Sequence, residues 1–404
     1  MVMHAPPSPG EIGPGRRHRN LLRQLTQRHR VSVLSFGTLA DYRCFLEEFG
    51  RVCERAVFCD MRRGRVRDVA ARLTALLLGR SEWRRLYRLR FQRALDAITA
   101  SHTFDLVIFS TTMFGCYRLP RDTPVIGDTH NVEHDSVRRA AAEARDLMRR
   151  LYYRAQASLT LREERKYNRR FTAVWATSQR DAALISAGVP AGPVRVVPNG
   201  LELGRYRVVR HAEPATLLFT GLMSYHPNWH GALHFIEQIL PLIEMKEPSV
   251  RFVIVGPCPP RVLRKAAGVH VEITGYVPSI WPYFERASAF VVPLAIGGGT
   301  RVKVLEALAS GVPVISTSIG CEGLDVVDGE SILIADSPQA FADAVLRVLM
   351  NPSLADLLAC GGRVVAGRYD LDIIGELLDG FCAEAVRSGC PGFKSNCPSN
   401  GVLA

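Results

Sequence analysis

Short runs of β-branched and apolar residues recur along the chain, each followed by a stretch long enough for a helix. In the first half they are VSVLSF (31–36), AVFCD (56–60), DLVIFST (105–111), PVIGDT (124–129), AVWATS (173–178) and VRVVPN (194–199). In the second half they are TLLFTG (216–221), VRFVIVG (250–256), VHVEITGY (269–276), AFVVPL (289–294), VPVIST (312–317) and SILIAD (331–336). Continuous apolar strands alternating with helices predict parallel sheets covered on both faces. Two such sets predict an α/β protein of two doubly wound domains side by side. The turn residues and polar stretch of PNGLELGRYRVVRHAEPA (198–215) mark the boundary, placed here after residue 203. Only Val2, Met3 and His4 stand where the first sheet needs its central strand, so that strand is expected to be nearly absent.

At 404 residues the chain is too long for one ordinary core, and 47% hydrophobic with 22% charged residues is a globular composition. No apolar run approaches the roughly 18 residues that span a bilayer, and MVMHAPPSPG lacks the apolar core of a signal peptide. Ten cysteines without a CxxC pair fit reduced thiols, so a cytoplasmic protein is expected. Charge is uneven. Residues 1–200 hold 35 Lys and Arg against 19 Asp and Glu, whereas the remainder holds 16 against 20. The densest basic run, Arg62 to Arg93, interleaves arginine with Leu, Val, Trp83 and Tyr87. It reads either as a solvated helical hairpin or as a surface resting on anionic lipid at the inner face of a membrane. No zinc finger, RNP-like motif or helix-turn-helix supports a nucleic-acid partner.

The stretch GGGTRVKVLEALASGVPVIST (297–317) carries the candidate chemistry. It follows the strand AFVVPL and opens a helix with two cations in its first turn. The free amides there already carry partial positive charge, so each added cation costs roughly 0.3–1 kcal/mol. A diphosphate at that helix start turns the cost into a gain, with glycines letting the backbone approach it closely. Lys303 and Glu306, one turn apart, share a face, while Val302, Leu305 and Ala309 face the sheet. The plainer alternative is a surface pair between Lys303 and Glu306, worth under about 1 kcal/mol.

PLAIGGGTRVKVLEALASGVPVIST with GCEGL (320–324) resembles the donor-binding region of family 4 glycosyltransferases with the GT-B fold. PNG (198–200), FTGLMSYHPN (219–228), VIVGP (253–257) and TGYVPSIWPYF (274–284) fit in the same order, as do DTHNVE (128–133) and ATSQRDA (176–182). The resemblance covers roughly residues 10–385. It implies an acceptor-side Rossmann-like domain (1–203) facing a nucleotide-sugar-binding one (204–369) across a cleft. A closing helix (370–388) returns to the first domain, and a flexible tail (389–404) follows. Glu306 matches the glutamate that holds the donor ribose. The family's first donor glutamate falls at Gly298, and the usual Arg and Lys are missing from GLMSYHPN, as in one branch of the family. Arg301 and Lys303 then take over phosphate neutralisation, with amides from Gly298, Gly299 and Thr300 and close approach at Gly221. His130 corresponds to a histidine near the donor sugar, its alternative being a side chain satisfying a loop carbonyl. Gly15, in PPSPGEIGPGRRHRNLL (6–22), corresponds to the loop facing the diphosphate.

The activity implied is retaining, metal-independent transfer from a nucleotide-diphosphate sugar, UDP or GDP, to a glycan or lipid-linked hydroxyl, without a further cofactor. A sugar-nucleotide epimerase and a non-catalytic nucleotide-sugar binder are the rival readings, and a zinc hydrolase is a distant third. HNVEH (130–134) spells an inverted zinc-protease motif, but His130 leaves a strand and so cannot share a helical face with His134. His226, His230 and His234 stand four apart, with Pro227 expected to hold His226 off the helix. Asp370-Leu-Asp372 mimics a metal-binding DxD, although its place suits helix capping. No GxGxxG, GxxxxGK[ST] or GxSxG occurs.

Overall fold

The computed structural model describes residues 1–7, 14–60, 74, 75, 78–144, 146–188, 190–206, 208, 212–297, 299 and 301–389. Thirteen strands are described: β1 (Val2–Met3), β2 (Val31–Phe36), β3 (Cys53–Cys59), β4 (Val107–Phe109), β5 (Val125–Asp128), β6 (Ala173–Ala176), β7 (Val194–Val196), β8 (Thr216–Thr220), β9 (Arg251–Val255), β10 (Val271–Gly275), β11 (Ala289–Val292), β12 (Val314–Ser316) and β13 (Leu333–Ile334). They form two all-parallel sheets, ordered β3-β2-β1-β4-β5-β6-β7 and β10-β9-β8-β11-β12-β13. Eleven of the twelve apolar runs contain a strand, and the other, AVFCD, overlaps the end of β3, which begins earlier at Cys53. The thirteenth, β1, is two residues long yet central, with Val2 opposite both Leu34 and Phe109.

The helices are α1 (Pro14–Arg28), α2 (Leu39–Phe49), α3 (Leu89–Ser101), α4 (Glu133–Glu143), α5 (Leu147–Asn168), α6 (Gln179–Ser186), α7 (His226–His234), α8 (Leu240–Glu244), α9 (Arg261–Arg264), α10 (Trp281–Arg286), α11 (Val302–Ala309), α12 (Pro338–Met350), α13 (Pro352–Gly367) and α14 (Leu371–Gly389). Local chemistry sets many of their starts. Thr38 and Asp41 form a capping box on α2, and Ser178 caps α6. Ser337 and Asn351 cap α12 and α13, each followed by proline in the first turn, where its missing N–H costs nothing. Asp370 accepts from the amide of Asp372, so the DxD-like pair starts α14.

Cores lie on both faces of each sheet. In the first domain Leu21, Leu22 and Leu25 of α1 share a cluster with Met3, Trp175 and, from α14, Ile374, Leu378 and Cys382. The last helix is thereby fastened to the first domain, and Leu201 exchanges backbone hydrogen bonds with Tyr369 and Leu371 where the chain crosses twice. No single helix among the described residues is long and apolar enough to cross a membrane. The pair α12 and α13 passes only jointly, bent by 102°, and much of its apolar surface is in the second core.

Two expectations need correction. Trp83, Leu86 and Tyr87 do not form an outward apolar face: Leu86 is buried, with Trp83 and Tyr87 packed around the same core and Tyr87 against Tyr117. Of the described apolar side chains in the basic run, Leu78 and Leu89 stay exposed. Residues 62–73, 76 and 77 of the basic run lie outside the described residues, as do 390–404. His226 is also on α7 after all, because Pro227 falls within the first turn, where proline is tolerated.

Candidate active site

In both sheets the strand order reverses beside the first strand, between β1 and β4 and between β8 and β11. Ligands of doubly wound folds bind at the carboxyl ends of strands at such switch points. His4 follows β1 and Ser110 follows β4. Gly221 follows β8, and the loop 293–301 follows β11. The two edges meet: a Cβ built on Gly299, which has φ +75°, would lie 2.9 Å from the carbonyl oxygen of His130 and collide with Asn131. Only glycine permits that approach of the second domain's loop to the first domain's. Gly298 and Thr300 lie outside the described residues.

Helix α11 starts at Arg301 with no side-chain cap and no acidic residue in its first turn. Its amides are therefore not offset by protein carboxylates in that turn, and the two cations add to them. Arg301 is buried, its guanidinium packed on Gly297, a position held at φ +138° where a Cβ would collide with it. Burial lowers its pKa. The Nζ of Lys303 donates to Oδ1 of Asn228 over 2.7 Å and stands 4.2 Å above the centre of the Phe219 ring. Burial, and then the charge of Arg301, bring its pKa down to about 7. Gly221, at φ +149°, is close beneath: a Cβ there would be 2.7 Å from the Lys303 nitrogen.

Glu306 is buried one turn further on, and its Oε1 accepts from Nη1 of Arg16 at 2.6 Å. Arg16 also donates to the Tyr206 hydroxyl at 3.3 Å. Burial opposes the charge of Arg16, but Glu306 and Tyr206 more than offset it, so the net shift of its pKa is upward. Gly15 lies beside it in the first turn of α1, and Leu305 and Ala309 are buried in the second core, whereas Val302 only packs against it. The plainer alternative, a surface pair between Lys303 and Glu306, gives way to contacts of Lys303 with Asn228 and of Glu306 with Arg16.

His130 stands at the end of β5 with two further histidines. Its Nε2 is 3.0 Å from Nε2 of His18, on α1, and its ring lies 5.3 Å from that of His4. Nδ1 of His18 is 2.8 Å from the Ala5 carbonyl, which can only accept, so His18 carries its proton there and offers a bare Nε2. Burial holds the pKa of His18 and His130 well below the usual value and that of His4 at about 3, with mutual repulsion adding to it. Beneath them Arg17 grips Asp128 through two hydrogen bonds, 3.0 and 2.6 Å, with both side chains buried. His134 turns away to Glu164, so HNVEH does not assemble as a metal motif.

A salt-bridge network closes one side of the cleft. Arg139 and Arg180 of the first domain both reach Glu322 of the second, each at 2.9 Å, and both also bind Asp135. Arg139 further donates to the Gly297 carbonyl at 3.0 Å. Arg16, His18, Asn228, Arg139 and Glu322 escaped the sequence reading. For Arg16 and His18 the signal was present in GRRHRN, where three arginines and a histidine open a helix after the first strand.

Two Rossmann-like domains meeting at their switch points, with cations and a carboxylate on the second, define a nucleotide-sugar type of cleft. Residues 13–205 match the family model of Glycosyltransferase Family 4, and residues 214–351 that of Glycosyl transferases group 1. Together these matches identify a glycosyltransferase of the GT-B, family 4 type. An uncharacterized 44.6 kDa protein of the cps region of Klebsiella pneumoniae is 24% identical over 34% of this chain and 38% of its own length. The 2-deoxystreptamine N-acetyl-D-glucosaminyltransferase of Niallia circulans is 26% identical over 37% of this chain and 39% of its own. The chain thus spans about two fifths of these curated relatives. Among solved structures, Anabaena HepE in complex with UDP and glucose superposes with a TM-score of 0.67 at 14% identity, covering 95% of this chain and 98% of that one. Sucrose-phosphate synthase from Thermosynechococcus elongatus gives 0.70 at 17% over the same shares. At those identities the likeness is one of fold.

Proposed function

We propose that the protein moves a sugar from a nucleoside-diphosphate sugar, UDP or GDP, to a hydroxyl of a glycan or lipid-linked acceptor, with retention and without a metal. The observation that carries this reading is the start of α11: an uncapped helix with Arg301 buried and Lys303 half-buried beside it, opposite the His130 loop. Charge growing on a leaving diphosphate is met there by two cations and free amides, so none need come from a metal. Glu306 takes the ribose hydroxyls after parting from Arg16. Gly15, Gly221, Gly298, Gly299 and Thr300 let the backbone come near the diphosphate, and His130 stands at the transferred sugar. The acceptor hydroxyl attacks on the face the phosphate leaves and gives its proton to a phosphate oxygen. Relatives and neighbours whose names include UDP complexes and an N-acetylglucosaminyltransferase support the donor class.

Thermal shift with UDP-, GDP- and ADP-sugars tests the donor, since a ligand at 100 times its Kd adds about 2.7 kcal/mol to stability. Transfer to an acceptor, followed by the anomeric configuration of the product, then tests the reaction. Donor conversion without acceptor signals an epimerase, and stabilisation without any conversion signals a binding protein. No stabilisation by any nucleotide sugar overturns the reading.

A further inference from the structure

We infer that His4, His18 and His130 form a binding site for one borderline divalent metal ion, Zn²⁺ by preference. A ligand nitrogen of each ring lies within 4.8 Å of the other two, and ring centres are 4.9 to 5.3 Å apart. The pair of Nε2 atoms on His18 and His130, at 3.0 Å, is already close to the roughly 3.3 Å edge that zinc–nitrogen bonds of 2.0–2.1 Å set in a tetrahedron. Modest ring rotation brings in His4.

The surroundings of the rings match those of metal-bound imidazoles. His18 donates Nδ1–H to the Ala5 carbonyl, which fixes its tautomer and aims the Nε2 lone pair at the cluster. The Ser110 hydroxyl, 2.9 Å from Nδ1 of His4, can accept from that nitrogen in the same way. For His130 to join, its proton moves from Nε2 to Nδ1, so all three rings bind as neutral ligands and none need be lost to solvent. The nearest cation, Arg17, is matched by Asp128. Three imidazoles with no thiolate or carboxylate leave a fourth position for water, as in zinc sites that stay open. His4 and His130 are only half-buried, so the cluster opens to the cleft on that side, while His18 is fully buried.

The ion is not needed for the proposed transfer. It ties up His130, so occupancy inhibits whatever chemistry that side chain serves. The site rests on the cluster alone and is measured without donor or acceptor. Its failure leaves the glycosyltransferase reading untouched, and the reverse also holds.

The test uses the full chain, stripped with chelator and alkylated so that exposed Cys44, Cys258 and Cys360 cannot compete. Titration with Co²⁺ should give one ion per chain, with the visible absorption of a tetrahedral site and no thiolate band, displaced by Zn²⁺. His4→Gln and His18→Gln should each weaken binding at least tenfold, with circular dichroism confirming that they fold. X-ray absorption of the zinc-loaded wild type should count three imidazoles, which decides the matter even if a variant unfolds. No stoichiometric Co²⁺ at micromolar concentration, undiminished binding in both folded variants, or fewer than three imidazoles overturns the site and leaves a hydrogen-bonded histidine cluster.

Discussion

The guanidinium of Arg16 donates to the carboxylate of Glu306 over 2.6 Å, joining the first turn of α1 to α11 across 290 residues and two domains. The side chain proposed to hold the donor ribose is therefore already engaged by the opposite domain. Ribose and Arg16 compete for one carboxylate. Arg16→Ala is expected to tighten nucleoside diphosphate binding, and Glu306→Gln to weaken it by about 1.5–3 kcal/mol, the worth of charge-assisted hydrogen bonds. Calorimetric titration of both variants reads the two signs. Weaker binding in Arg16→Ala would show that Arg16 contacts the nucleotide itself.

Lys303 gives a pH dependence with a definite sign. Burial and Arg301 bring its pKa to about 7, against 10.5 for an ordinary lysine. Between those values the unfolded chain holds a proton that the donor-free native state lacks. Stability from this group therefore rises with pH across the window, and its full cost falls below pH 7. A bound diphosphate reverses the shift, so binding at pH 8 takes up close to one proton and weakens as pH rises. Calorimetry in two buffers of different ionisation heat should reveal the uptake in the wild type and its loss in Lys303→Met. Identical heats in both buffers would rule out a neutral Lys303 in the empty cleft.

Arg301→Ala and Lys303→Ala should each lower kcat more than they weaken donor binding, because leaving-group charge peaks in the transition state. A fall on the order of 10²–10³ is the scale for losing one such group. Steady-state turnover beside donor affinity separates the two effects. Unchanged turnover in both variants would remove these residues from the chemistry.

Glu322 is the second-domain anchor for Arg139 and Arg180. Glu322→Ala leaves those arginines with Asp135 and, for Arg139, the Gly297 carbonyl, so the fold should persist while the domains part more readily. Small-angle scattering should show a larger radius of gyration than the wild type, most clearly without donor. High salt should bring the wild type toward the variant, since these half-exposed pairs are screened. Matching profiles would mean that the Arg16 contact and the crossing at Leu201 suffice to hold the domains together.

Strands were legible in the sequence because parallel strands buried on both faces are uninterrupted apolar words, and VSVLSF coincides with β2 residue for residue. The two-residue β1 was hard to read because its centrality comes from its neighbours, Leu34 and Phe109, and not from its own composition. At the site, GGGTRVKVLEA announced an anion through charges placed against a helix dipole. What it could not announce were partners from far along the chain: Asn228 for Lys303, Arg16 for Glu306, and the histidines that surround His130. Such contacts depend on how two domains meet, and no local pattern records that. Trp83, Leu86 and Tyr87 misled for the converse reason, since a basic-aromatic run looks alike whether its rings face lipid or core.

That correction moves the expected membrane contact. Leu147, Met148 and Leu151, 64%, 72% and 51% exposed, form one stripe at the start of α5. The helix buries its opposite face through Gln156, Thr160 and Glu164. Arg149 and Arg154 are exposed on the same turns. Shallow insertion of the three apolar side chains, with arginines meeting lipid phosphate at about 1 kcal/mol each, would hold the enzyme reversibly on an anionic surface. Sedimentation with anionic vesicles at low salt should carry the wild type down, with binding fading as salt is added. A Leu147→Ser, Met148→Ser, Leu151→Ser variant should remain in the supernatant, with an unchanged melting temperature because these positions touch no core. Wild-type protein that stays in solution refutes the membrane contact. Undiminished sedimentation of the triple variant would return the contact to the basic stretch around Leu89.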